Sequence, residues 1–186
     1  DCIVSIKILF FSSGNEITDQ ENITVCKVRN SNSHYIKSID KNFLFNFFYG
    51  GILKDKDQNL FEKKIKKTKI KKLFIITSGA VSAGKFDYIP KIINKFKISN
   101  YFKGVAIRPG KPVLFAKIKG RHKAIFGLPG NPISSAACFR FFVYPYLEMI
   151  LETEKEKPIK AILKNEFIKK KNFTRFVKSN INTTKN

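Results

Sequence analysis

Three short stretches of this chain carry residues suited to holding a phosphate or another oxyanion. In 73–87 (LFIITSGAVSAGKFD), five apolar or β-branched residues predict a short buried strand. A loop with Gly79 and Gly84 follows, and Asp87 opens a predicted helix. A strand feeding a Gly-rich loop at a helix N-terminus gathers free backbone N–H groups and the positive helix end, which is where α/β proteins hold phosphates. In 104–112 (GVAIRPGKP), Arg108 and Lys111 bracket a Pro-Gly turn that can aim two cations at one anion. In 126–135 (FGLPGNPISS), Asn131 is the expected N-cap and Pro132 the first helical residue, so Asn131 and Ser134 offer polar groups beside unpaired N–H donors.

One apparent motif is a decoy. Residues 79–85 (GAVSAGK) follow the phosphate-loop pattern of ATPases up to the lysine, but the next position needs a Ser or Thr hydroxyl for magnesium and holds Phe86. A phosphate-loop ATPase is therefore disfavoured.

The elements that must position these loops alternate between strand and helix. Residues 3–11 (IVSIKILFF) predict a strand closed by Ser12, Ser13 and Gly14, and 19–27 a loop with a short strand. The NSN at 30–32 signals a helix start, with Ile36 and Ile39 turned inward on a helix reaching about residue 42. A strand at 43–49 should close at Gly50 and Gly51, and Leu60, Phe61 and Ile65 should mark the buried side of the next helix. A helix at 88–96 tolerates Pro90 in its first turn, and 101–107, 112–117 and 123–126 predict three short strands. A long helix over 132–152 is expected to bury Ile133, Ala137, Phe141 and Tyr144, after which 159–163 and 173–177 predict strands of another unit. The alternation predicts an α/β fold, three layers around a mainly parallel sheet, with all three loops at the strands' C-terminal ends.

Composition bounds the rest. At 186 residues the chain can bury one good core and part of a second domain. It begins at Asp1 without Met, which suggests a piece of a longer protein. No apolar run reaches the length of a membrane span, and Cys2, Cys26 and Cys138 are scattered without metal-ligand spacing, which fits a reducing compartment. The net charge of +22 invites a nucleic-acid reading, but only five of the 36 basic residues are Arg, and many lysines fall in the run 63–72 (KKIKKTKIKK). Such runs are ordinarily solvated faces, so no nucleic-acid partner is expected, although the charge can speed capture of a small anion.

Taken together, SSGNEI at 12–17, NSN at 30–32, GILKD at 51–55, TSGAVSAGKFDYI at 77–89, AIRPGKP at 106–112 and GLPGNPISS at 127–135 resemble, in that order, the molybdopterin molybdenumtransferases. This is the family of bacterial MoeA and the E domain of gephyrin. The resemblance covers about residues 3–152. It implies a molybdopterin-binding α/β domain over 1–153 and the start of a small C-terminal β domain over 154–186. It also implies a reaction in which molybdate displaces the adenylyl group of molybdopterin-AMP, with Mg2+, leaving molybdenum on the dithiolene and releasing AMP. By the same resemblance, Asp87, Arg108 and Lys111 act on the substrates. Ser13, Glu16, Asn32, Ser78, Gly79, Ser82, Pro112, Gly130, Asn131, Pro132 and Ser134 bind them, and Asp55 and Asp87 hold the metal, since Mg2+ takes carboxylate oxygens and substrate phosphates. A cytoplasmic homodimer is implied for the full-length protein, with no membrane partner.

The chain departs from the family at Ala80 (usually Gly), Lys85 (usually an acid), Asn15 (usually Asp) and Arg108 (usually Lys). Ala80 narrows the glycine loop if the backbone there needs positive φ. Two alternatives stay open. A molybdopterin adenylyltransferase shares the fold and a GLPG-type loop but attaches AMP, and the PGKP turn and the tail argue against it. A pterin-binding or scaffold domain without turnover is favoured by the absence of the family's two N-terminal domains.

Overall fold

A computed structural model describes residues 6–39, 45–67, 73–81, 88–119, 123–154, 156–168 and 171–182. Its centre is a six-stranded sheet in the order β4-β1-β5-β9-β8-β6, formed by β1 (Ile6–Ser13), β4 (Phe45–Leu53), β5 (Leu73–Ser78), β6 (Ile98–Lys103), β8 (Leu114–Ile118) and β9 (Lys123–Leu128). Neighbours among β4, β1, β5 and β9 pair in parallel, and β8 runs antiparallel to both β9 and β6. The fold is thus mainly parallel α/β, as the sequence alternation predicts.

All six residues of β5 are buried, and this strand sits inside the sheet with both faces covered. Alternate side chains feed two separate cores. Ile6, Ile8 and Phe10 of β1 pack with Phe74, Ile76, Phe126 and the helical residues Ile36, Phe139, Val143 and Leu147. Phe11, Ile75 and Ile125 pack on the other face with Phe61, Ile65, Tyr88, Ile89, Ile92 and Ile93. Helix α1 (Asn32–Ile39), with the run 132–151, therefore covers one face, while α2 (Gln58–Lys67) and α3 (Tyr88–Ile93) cover the other. Several of the 19 phenylalanines pack in the first core, where the Phe115 ring centroid lies 5.0 Å from that of Phe126 and 5.3 Å from that of Tyr146.

The run 132–151 joins α4 (Pro132–Cys138), a π-helical turn (Phe139–Val143) and α5 (Tyr144–Leu151). The sequence predicts its extent and only part of its face. Tyr144 is buried as expected and Ala137 half-buried, but Ile133 and Phe141 are 73 % and 47 % exposed, while Ser135, Cys138, Phe139, Val143 and Leu147 are buried. Nearly every position from Phe139 to Leu151 is apolar or aromatic, so periodicity alone cannot select a stripe, and the π-turn rotates the helix within it.

Other expectations move for identifiable reasons. β4 does not stop at Gly50 and Gly51 but runs through both to Leu53, because a side chain at Gly50 would place its Cβ 2.2 Å from the Phe11 ring. The register against β1 shifts at the same place, so the glycines mark a bulge and a close approach rather than a turn. Leu60 is 47 % exposed, since Phe61 and Ile65 complete the buried edge of α2. The helix expected to reach residue 96 ends at Ile93, and the strand expected over 101–107 is divided between β6 and the short β7 (Ile107–Arg108). Two further short strands, β2 (Ile17–Thr18) and β3 (Val28–Arg29), pair in parallel beside the C-terminal end of β1.

In the tail, 156–163 shows no regular strand, while β10 (Thr174–Arg175) pairs in parallel with β7. Phe176 stacks on Phe141 with centroids 3.9 Å apart and planes 9° apart, which accounts for the outward turn of Phe141. Among the described residues no helix is long and apolar enough to cross a membrane.

Candidate functional site

Sheet polarity gathers the sequence-distant loops. Phe11 pairs with Thr77, Thr77 with Gly127, Gly127 with Leu114 and Leu114 with Lys103, so the loops after β1, β5, β6 and β9 all leave from one end of the sheet. The loop after β4 joins them, because Leu53 pairs with Ser13. A cleft of about 590 Å³ opens there, bordered by Ser13, Glu16, Asn32, Asp55, Ser78, Gly79, Pro112, Gly130 and Pro132. A crevice outside the carboxyl ends of parallel strands is where open α/β sheets bind ligands.

The cleft floor is tightly built. The Gly79 N–H donates to the Leu128 carbonyl at 2.9 Å. A Cβ on Gly79, whose φ is +100°, would lie 2.3 Å from the Ser13 carbonyl oxygen. Gly130 passes close by, its missing Cβ position 3.7 Å from the Gly79 Cα. Asn32 donates from its side-chain amide to the Ser78 Oγ and, at 2.9 Å, to the Gly130 carbonyl, while Ser78 donates to the Pro129 carbonyl at 3.4 Å. Ala80 does sit at positive φ, +52°, so a residue with a Cβ holds a left-handed conformation beside the glycine.

At the rim, Asn15 and Asp55 exchange hydrogen bonds. The Asn15 amide donates to Asp55 Oδ2 at 2.6 Å, and the Asp55 N–H donates to Asn15 Oδ1 at 3.3 Å. Deeper on the same side, Ser12 donates to Asn30 Oδ1 at 2.7 Å. Asn30 donates to Asp19 and to the Tyr49 hydroxyl, both at 2.8 Å, and Tyr49 donates to Asp19 at 2.7 Å. Burial, and then the Asp19 carboxylate, push the Tyr49 hydroxyl well above the ordinary phenol range. On the opposite side, the Ser13 and Tyr88 hydroxyls lie 3.4 Å apart, and burial raises the Tyr88 pKa.

Among the described residues no group of three or more His, Cys, Asp or Glu converges. Glu16 and Asp55 both border the cleft, and two carboxylates suit Mg2+ that keeps its waters and shares substrate phosphates. Asp87 and Ser82, the other residues assigned to this site from the sequence, lie outside the described residues.

Arg108 and Lys111 do not line this cleft. They border a neighbouring one of about 490 Å³, together with Ser134, Phe173 and Arg175, and the two clefts meet at Pro112, which lines both. The α4 start divides them, with Pro132 on the first cleft and Ser134 on the second, and Asn131 caps the helix by accepting from the Ser134 N–H at 3.1 Å. The second cleft exists because the tail returns: Thr174 donates its N–H to the Ala106 carbonyl at 2.8 Å and Phe176 to the Arg108 carbonyl at 2.9 Å. Lys111 Nζ then lies 5.7 Å from the Phe173 ring centroid. Gly110 closes the turn against the helix, where a Cβ would meet the Cys138 Sγ at 2.5 Å. Arg175 and Phe173 escape sequence reasoning, which assigns them to a separate unit. The strand predicted over 173–177, which holds both residues, is the signal that could have pointed to them.

Comparison with known proteins bears on the family and the fold. The family described as "probable molybdopterin binding domain" matches residues 10–149. A protein named molybdopterin molybdenumtransferase from Staphylococcus epidermidis is 33 % identical over 184 residues, covering 96 % of this chain and 42 % of that protein. A second protein of that name, from Synechocystis, is 36 % identical over 122 residues, covering 65 % of this chain and 28 % of its own length. The chain thus spans about two fifths of the length of the Staphylococcus relative. Among solved structures, a molybdopterin biosynthesis moeA protein from Pyrococcus horikoshii superposes with a TM-score of 0.63 at 26 % identity, covering 81 % of this chain and 37 % of that one. The molybdopterin biosynthesis enzyme MoaB of Thermus thermophilus shares the fold, with a TM-score of 0.54 at 13 % identity over 80 % of this chain and 98 % of its own.

Proposed function

This chain belongs to the molybdopterin-binding domain family, and on that premise we propose that it supplies the substrate-binding surfaces of a molybdopterin molybdenumtransferase in molybdenum cofactor biosynthesis. The observation that carries the proposal is the meeting, at Pro112, of two clefts of different character. The first offers the Asn32 amide, the Ser13 and Ser78 hydroxyls and the start of the 132–151 helical run to a ligand bearing both hydrogen-bonding groups and phosphates. The second gathers Arg108, Lys111 and Arg175, with no acid among the described residues of its lining, a setting for a small dianion such as molybdate.

In this scheme adenylylated molybdopterin lies in the first cleft, with its phosphates toward Gly79, Gly130, Asn131 and Pro132. Molybdate lies in the second, held by the three cations and Ser134. The two dithiolene sulfurs form Mo–S bonds to molybdate while one Mo–O bond breaks, that oxygen leaving as water with the two thiol protons, and one water is consumed when the phosphoanhydride is cleaved to free AMP. Glu16, Asp55 and, by family resemblance, Asp87 would hold Mg2+, which when bound offsets phosphate charge. The protein residues orient the two substrates toward one another across Pro112 and exclude bulk water from the contact. We place the reaction in the cytoplasm and in a homodimer of the full-length protein.

The test is to load the full-length protein with molybdopterin-AMP and follow AMP release against molybdate and Mg2+. Lys111→Ala and Arg175→Ala should each raise the molybdate needed for half-maximal release by about tenfold or more, because a charge-assisted contact is lost. Asp87→Asn should instead weaken the Mg2+ dependence, since an amide is a poor magnesium ligand. Wild-type behaviour in all three variants would overturn the site assignment. Net transfer of AMP onto molybdopterin from ATP would mark the adenylyltransferase class instead.

A further inference from the structure

Lys54, half-buried just past β4, turns its ammonium into the protein. Its Nζ donates to the carbonyl oxygens of Gly14 (3.2 Å), Asn15 (3.3 Å) and Ile17 (2.8 Å), one acceptor for each of its three hydrogens. Its backbone is pinned as well: the Lys54 N–H donates to Asp57 Oδ2 at 2.9 Å, and the Lys54 carbonyl accepts from the Asp57 N–H at 2.9 Å. Lys27 supplies one further charged donor, to the Asn15 carbonyl at 2.8 Å. Carbonyl dipoles converging on one point repel unless a cation stands among them.

The turn held in this way carries the rim of the first cleft. Asn15 uses its side chain for the exchange with Asp55. Glu16 folds back so that both carboxylate oxygens lie 2.6 Å from the position a Cβ on Gly14 would take. One ammonium therefore ties the loop after β1, which bears Glu16, to the segment after β4, which bears Asp55. The two acids come from different segments, and among the described residues Lys54 and the Asn15–Asp55 pair make side-chain bonds between those segments.

We propose that Lys54 is a positioning residue which, by neutralising the carbonyl cluster of 14–17, sets the placement of the Glu16 and Asp55 carboxylates and so tunes the affinity of the cleft for a divalent cation. This rests on the reading that those two acids hold the magnesium. Lys54 touches neither substrate nor metal in this role. The sign of its effect separates the proposal from simple electrostatics. A nearby ammonium repels a divalent cation, so on charge alone its removal tightens binding, whereas loss of a positioning residue weakens it.

The experiment titrates MnCl2 into the full-length protein in the presence of AMP. Free Mn²⁺ is followed by electron paramagnetic resonance, and the thermal midpoint of each variant is recorded alongside. Lys54→Met should weaken Mn²⁺ binding about tenfold, the scale seen when an outer-shell partner of a ligand is removed. Lys54→Gln, which keeps amide donors and is the variant to use if the methionine protein does not fold, should fall in the same direction. Lys54→Arg keeps charge and donors and should restore most of the affinity. Unchanged or tighter binding in the folded neutral variants overturns the proposal. Unchanged binding in Asp55→Asn overturns the metal reading itself and the proposal with it, and that outcome is distinguishable because Lys54 is then intact.

Discussion

The side-chain amide of Asn32 donates to the carbonyl oxygen of Gly130 at 2.9 Å, across 98 residues of chain. This bond fastens the start of α1 to the loop after β9, and the same amide also reaches Ser78 on β5. One side chain thus ties a helix start, a strand end and a loop together.

Asn32→Ala should therefore lower stability by about 1 kcal/mol, the net value of an ordinary hydrogen bond at a partly exposed site. Asn32→Asp should affect binding more than Ala does. A carboxylate cannot donate to the Gly130 carbonyl, and it faces the phosphates that the cleft is proposed to hold. Calorimetric titration with AMP checks the order: wild type, then Ala, then Asp.

Gly79 and Gly104 separate backbone strain from steric exclusion. Gly79 has φ +100° and a Cβ position 2.3 Å from the Ser13 carbonyl oxygen. Gly104 has φ +80° but its nearest neighbour is the Lys111 carbonyl oxygen at 3.6 Å. Gly104→Ala should cost about 1 kcal/mol from the left-handed backbone alone. Gly79→Ala should cost about 3 kcal/mol, because the β1 and β5 ends must also move apart. Urea denaturation of both variants gives the difference.

The buried Cys138 thiol is pushed up to about 12 by burial, from an ordinary value of 9.0, while Cys26 is exposed. A thiol reagent should modify Cys26 in the folded protein and reach Cys138 only on unfolding. The linkage has a definite sign. Below pH 9 the thiol is protonated in both states and its contribution to stability is fully present. Between pH 9 and about 12 the unfolded chain ionises while the folded one does not, so stability falls as pH rises through that window. Tyr88 and Tyr146, also raised by burial, act in the same direction. Comparing urea midpoints at pH 8 and at about pH 10, with Cys138→Ser as the control, tests the assignment.

The charge of +22 should not make this a nucleic-acid protein. Binding to generic duplex DNA should be weak and should vanish at moderate salt, as counterion release requires. Sequence-selective binding at physiological salt, measured by fluorescence anisotropy, would overturn that expectation.

Much of this molecule follows from local chemistry. The LFIIT run predicts a buried central strand, and all six residues of β5 are buried. Asn131 and Pro132 mark a helix start through capping and a preset φ, both short-range effects, and the Asn131 cap is present. Alternating strands and helices limit the topologies enough to bring the loops to one sheet end. Three features were decided only by tertiary packing. Gly50 and Gly51 read as a turn, yet the strand continues, because the Phe11 ring needs the space of a missing side chain. The buried face of the 132–151 run could not be chosen from an almost wholly apolar sequence, and a π-turn and the stacking of Phe176 on Phe141 fixed it. The division of the site into two clefts depends on β10 pairing with β7, which brings Arg175 beside Arg108 from 67 positions along the chain. A two-residue strand carries too little local signal to announce its partner, so that contact is set by which edge the folded domain leaves open.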